Sequence, residues 1–113
     1  MFTIEKLKAL GANTDEGVKR CVNQEALYLR FVEMAVKDDG FEKLRDAIEK
    51  KDLDEAFERA HALKGVLGNV SLTQIYTPVA VMTEELRARN DIDYAGYLET
   101  IFTELDKLRA MID

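Results

Sequence analysis

The 113-residue chain carries 22 acidic against 16 basic side chains, a formal net charge of −6 and an isoelectric point near 4.9. That balance argues against a nucleic-acid surface or an anionic-membrane anchor, both of which need a basic patch, and favours a basic or neutral protein partner. With one Cys and one His in the whole chain, no internal disulfide can form and no zinc or other metal site is expected.

Residues 2–20 come first, with Phe2, Leu7, Leu10 and Val18 supplying enough apolar surface for one or two short helices over an end of a bundle. Glu5, Lys6 and Lys8 interrupt what a signal peptide would keep apolar, and no later segment reaches the ~18 apolar residues of a membrane span. The chain therefore reads as soluble, cytoplasmic and, from its start Met and short leading helices, free-standing. The next stripe is Leu27, Phe31, Met34, Phe41, Leu44 and Ile48, with Asn23 as a plausible cap. Asp38 to Gly40 reads as a turn, yet Phe41 falls in phase with Met34, so one long helix over 24–51 is expected.

Leu53, Phe57, Ala60, Leu63, Leu67 and Val70 form the third stripe, over 53–69. Leu72, Ile75, Val79, Met82 and Leu86 form the fourth, over 72–90, with a kink expected at Pro78. The last, over 93–112, is Tyr94, Tyr97, Ile101, Leu105, Leu108 and Ile112. Asp52 with Glu55, and Ser71 with Gln74, have the spacing in which a short polar side chain and a later Glu or Gln satisfy free amides at a helix start. Asn90 to Asp93 is a polar break. The reading is all-α: an antiparallel four-helix bundle in one domain over 1–113, whose 47% hydrophobic content is enough for a single core.

The only histidine lies in the third stripe. At about 100° per residue, His61 and Gly68 project roughly 110° to 130° from the centre of the apolar arc, which places His61 on the exposed flank of its helix. Lys64, Gly65 and Gly68 follow at three, four and seven residues and share that flank. Each glycine costs a helix interior about 1 kcal/mol relative to alanine, so two of them beside one imidazole need a reason other than helix stability. A neutral imidazole is a competent nitrogen nucleophile near pH 7, and a lysine one turn away can stabilise the compact anion left by phosphorylation. Bare positions at 65 and 68 would let a partner's active site approach the ring.

The stretch "AHALKGVLGNV", on the exposed flank of the third long helix of such a bundle, resembles the histidine-containing phosphotransfer (HPt) domains of two-component phosphorelays, whose pattern is H-x-L-K-G followed by small residues. The resemblance covers nearly the whole chain. It implies that His61 is phosphorylated, that Lys64 assists, and that Gly65 is kept bare for docking. Val66 and Leu67 stand where the family usually has Ser or Ala, and Ser71 where a Gly commonly precedes the next helix. Leu67 falls on the core arc, so Val66 is the candidate for altering the docking surface beside Gly65 and Gly68.

The implied function is a phosphorelay intermediate that takes a phosphoryl group from a receiver-domain aspartyl phosphate and hands it to another receiver's aspartate. Partners would be response-regulator receiver domains, with a hybrid sensor kinase as a further candidate. Mg²⁺ would belong to the receiver, and this chain would need no cofactor and act as a monomer. Nothing in the sequence resembles a nucleotide loop, so ATP-dependent kinase activity is not expected. The alternative is a non-phosphorylated helical adaptor that binds receivers or other signalling proteins. A ferritin-like di-iron bundle fails, because Glu58 to His61 is one Glu-x-x-His spacing with no second histidine.

Overall fold

The computed structural model describes residues 1–112; Asp113, the last residue of the expected domain, lies outside the described residues. Among the described residues every regular element is an α-helix. In chain order these are α1 (Ile4–Ala9), α2 (Thr14–Arg20), α3 (Glu25–Val36), α4 (Gly40–Glu49), α5 (Leu53–Asn69), α6 (Thr73–Arg87) and α7 (Ala95–Arg109). Helix α5 packs on α4 and α6, α6 packs on α7, and α7 closes back on α3. Each of α5, α6 and α7 thus packs on the helix that precedes it in the chain.

The apolar stripes of the last three helices supply much of the core, which Leu7, Tyr28, Val32, Val36, Phe41 and Leu44 complete. Leu63 and Leu67 of α5, Ile75, Val79, Met82 and Leu86 of α6, and Ile101, Leu105 and Leu108 of α7 are all buried. Each such side chain contributes roughly 1.5–3 kcal/mol. The four on α6 therefore outweigh the ~3 kcal/mol that an interior proline costs, and α6 continues through Pro78 as one helix.

Most helix ends close by one device, a left-handed residue followed by an amide that bonds back to a carbonyl five residues earlier. Gly11, Val22, Lys51, Ser71 and Arg89 all have positive φ, as does Asn23. The returning bonds run from Ala12 to Leu7, Asn23 to Val18, Asp52 to Ala47, Leu72 to Leu67 and Asn90 to Glu85. Two expected caps are displaced by this geometry. Asn23 belongs to the end of α2, and Gln24 precedes α3 without a side-chain cap. Ser71 belongs to the end of α5, and the residue capping α6 is Leu72.

Helix α3 is the exception, and here the structure corrects the expected single helix over 24–51. Its C-cap, Lys37, is right-handed, and the chain breaks before Gly40. Asp38 Oδ1 accepts the Gly40 amide at 2.7 Å. From the adjacent α7, Arg109 donates to the Val36 carbonyl at 3.0 Å and the Asp38 carbonyl at 3.4 Å, and pairs with Glu42. The carbonyl groups freed by the break are thus satisfied by a guanidinium, which lets α3 and α4 meet at an elbow. Gly40 is packed tightly there, since a Cβ would lie 3.2 Å from Leu63 Cδ2.

The buried face of α3 also differs from expectation. Tyr28, Val32, Ala35 and Val36 point inward, whereas Phe31 is 40% and Met34 63% exposed. The Tyr28 ring lies so close to Gly17 that a Cβ there would sit 2.3 Å from it. Its hydroxyl donates to the Val70 carbonyl at 2.9 Å, which ties α2, α3 and the end of α5 together. Burial, with a smaller effect from Cys21, pushes the phenol up to about 12.

Candidate functional site

Helix α5 is fixed at both ends. Asp52 Oδ1 accepts the Glu55 amide at 3.1 Å, as the cap spacing predicts. At the other end the Ser71 carbonyl accepts the Asn13 amide at 2.9 Å, and its hydroxyl donates to Glu16 at 3.3 Å. These bonds bring α2 against the exposed flank of α5.

Between α2, α5 and the start of α6 lies an open concavity of about 730 Å³ whose lining includes His61, Lys64, Gly65 and Gly68. The four residues grouped by helical spacing thus share one surface. His61 is exposed, Lys64 half-buried and Gly65 exposed. A Cβ at Gly65 would meet nothing within 4 Å, so that position is bare toward solvent. Gly68 differs: a Cβ there would lie 3.3 Å from the Tyr76 ring of α6, so its missing side chain serves helix packing. Asn13, Glu16 and Arg20 form the opposite rim, where Arg20 and Glu16 pair at 2.9 Å.

Val66 lies outside this concavity. It lines the adjoining apolar groove with Phe31 and Met34, and Arg20 and Asn69 border both. Phe31 and Met34, exposed on α3, therefore add apolar surface beside the concavity that holds the histidine.

The imidazole stacks on Phe57, one turn earlier, with ring centroids 5.5 Å apart and planes inclined by 28°. Among the described residues neither Glu58 nor any other group hydrogen-bonds it. Arg87 and Arg89 each place a guanidinium 5.0 Å from the centroid of Phe57. Lys64 forms no ion pair among the described residues. The nearby Glu84 carboxyl is held below the usual carboxylate range, chiefly by its hydrogen bond from Arg87, with help from the charges of Arg87 and Lys64.

This arrangement leaves the edge of an imidazole open, an uncommitted ammonium one turn away, and no side chain at Gly65 to obstruct an approaching group. It suits nucleophilic capture of a tetrahedral anion. Among the described residues no three His, Cys, Asp or Glu side chains gather as metal ligands. No helix among them is long and apolar enough to cross a membrane.

The α2 rim, Phe57 and Glu84 are the parts of the surroundings that sequence reasoning missed. Phe57 alone had a local signal, its i,i+4 relation to His61; the others are brought in by tertiary packing.

No curated protein and no solved structure matches the chain at a significant level. The family model described as the Hpt domain matches residues 27–113, which take in α3 from Leu27 onward, all of α4 to α7, and His61, Lys64, Gly65 and Gly68. The chain belongs to the Hpt domain family, whose members carry out histidine phosphotransfer in two-component phosphorelays and interact with response-regulator receiver domains.

Proposed function

We propose that this chain is a phosphocarrier in which His61 takes a phosphoryl group from the aspartyl phosphate of one receiver domain and passes it to the aspartate of another. The lone pair of the neutral imidazole attacks phosphorus. A nitrogen–phosphorus bond forms, the phosphorus–oxygen bond to the aspartate breaks, and the aspartate leaves as a carboxylate. The proton on the other ring nitrogen is released to water, and the second transfer runs the same exchange in reverse on a new carboxylate.

Lys64 supports the transferred charge, and the receiver brings the Mg²⁺, so this chain needs no cofactor of its own. Gly65 leaves room for docking, and the groove holding Val66, Phe31 and Met34 adds apolar contact area beside the concavity that holds the reacting atoms. The chain acts as a monomer in the cytoplasm, with a hybrid sensor kinase as one source of the phosphoryl group.

The observation that carries this reading is the coincidence, on one concave face inside the Hpt match, of an exposed imidazole, an unpaired lysine and a glycine open to solvent. The test is to mix the purified chain with Mg²⁺ and a panel of phosphorylated receivers. The expected result is acid-labile, base-stable phosphate at His61 that a second receiver can remove. A folded, helical chain that gains no phosphate from any receiver would overturn the carrier reading in favour of a non-phosphorylated adaptor.

A further inference from the structure

On the reading that His61 is the phosphoacceptor, we propose that Phe57 is a positioning residue: it holds the imidazole in its reactive orientation and is itself clamped by Arg87 and Arg89. An exposed histidine on a helix ordinarily samples several side-chain rotamers. Here the ring lies against Phe57 at 5.5 Å and 28°. Both imidazole nitrogens have their lone pair or proton in the ring plane, so a neighbour stacked on the ring face leaves them accessible while restricting the tilt. In-line attack on phosphorus demands that control, because the nucleophilic lone pair must point along the bond that breaks.

Phe57 is a rigid backing because α6 and its exit hold it. Arg87 and Arg89 each lie 5.0 Å from its centroid. Arg87 is fixed by Glu84 at 3.0 Å. Arg89 is fixed by Asp54 at 2.6 Å and by the Leu86 carbonyl at 2.7 Å. A swing of the Phe57 ring would disturb both cation contacts. With no hydrogen bond to the imidazole among the described residues, this stack is what orients it. Both guanidiniums are also committed to Phe57 and to carboxylates, which leaves Lys64 as the uncommitted cation for the phosphoryl group.

The test compares wild type with Phe57→Leu, which keeps apolar bulk against the core but removes the flat ring, and with Phe57→Tyr, which keeps it. Two quantities are read: the ¹³C relaxation order of the His61 ring in unphosphorylated protein, and single-turnover phosphotransfer from a phosphorylated receiver across a range of receiver concentrations. We expect Phe57→Leu to lose ring order and to lower the maximal rate by about tenfold, since small misplacements of a reacting group are costly. The half-saturating receiver concentration should stay unchanged, and Phe57→Tyr should restore both order and rate. Arg87→Gln, at an exposed position, should give an intermediate loss of both and carries the test if Phe57→Leu does not fold.

Wild-type ring order and rate in Phe57→Leu, or a change confined to half-saturation, would overturn the proposal. A wild-type chain that takes no phosphate would instead overturn the phosphoacceptor reading, and the ring-order comparison would still decide whether Phe57 holds the imidazole.

Discussion

The α3–α4 elbow and the His61 face are each organised around one cation, and the two cations are used in opposite ways. At the elbow, Arg109 is fully engaged with the Val36 and Asp38 carbonyls and with Glu42. On the histidine face, Lys64 has no ion-pair partner among the described residues, and the glycine after it is bare. A cation surrounded by acceptors supplied by its own chain maintains a shape. A cation left open beside a nucleophile is available to an anion that arrives from outside.

If that division holds, substitutions on the histidine face should change transfer and spare stability, and those at the elbow should do the reverse. The largest effect is expected from His61→Gln, which should abolish phosphate acceptance from every receiver while the helical circular dichroism and melting curve stay as in wild type. Labelling retained in this variant would break the comparison at its centre. Arg109→Ala should come next, lowering unfolding free energy by about 2–3 kcal/mol because it strips charged hydrogen bonds from carbonyls and leaves Glu42 unpaired. Urea titration measures this, and the transfer rate per folded molecule should not change.

Lys64→Ala should slow transfer or shorten phosphohistidine lifetime by about five- to tenfold, the scale of one charge-assisted hydrogen bond partly exposed to water. An unchanged rate and lifetime would make Lys64 an ordinary surface lysine. Gly65→Ala sharpens the comparison from the other side. The new methyl meets nothing within 4 Å, so the helix should gain up to about 1 kcal/mol, while receiver affinity falls because the methyl occupies docking space.

The smallest effect is expected from acid. The Arg109 hydrogen bond holds Glu42 below its ordinary pKa in the folded state. The pair therefore stabilises the fold above the ordinary Glu range, and that contribution is lost as pH falls through the lowered folded value. Glu42→Gln should flatten the acid limb of the stability curve, and an identical limb in wild type and variant would show that the elbow does not depend on this charge.

What could be read from sequence was local. His61, Lys64 and Gly65 lie within five residues of one helix, and the 3.6-residue repeat was enough to place them on one exposed flank. The Asp52 cap of α5 is local too, and it forms as its spacing predicts. Helix α3 was harder, because Leu27, Phe31 and Met34 have the same helical spacing as Tyr28, Val32 and Ala35, and both sets are apolar. Gly17 beneath Tyr28, and the Val70 carbonyl that receives its hydroxyl, decide between the two faces, and neither is a near neighbour in the chain. Ser71 has the spacing of a capping box, but Gly68, Asn13 and Glu16 take its backbone and hydroxyl bonds. Gly68 shared the helical flank of Gly65, yet its empty side belongs to Tyr76, a contact that required α6 to be in place.

The Arg109 clamp also orders events in time. Arg109 follows Glu42 by 67 residues and Val36 by 73. On a ribosome adding about 5–20 residues per second, it is synthesised roughly 4 to 15 s after the carbonyls it will cover. During that interval the elbow's free groups are left to water or to a longer helix, so the bend between α3 and α4 is completed only by a side chain made after α5 and α6.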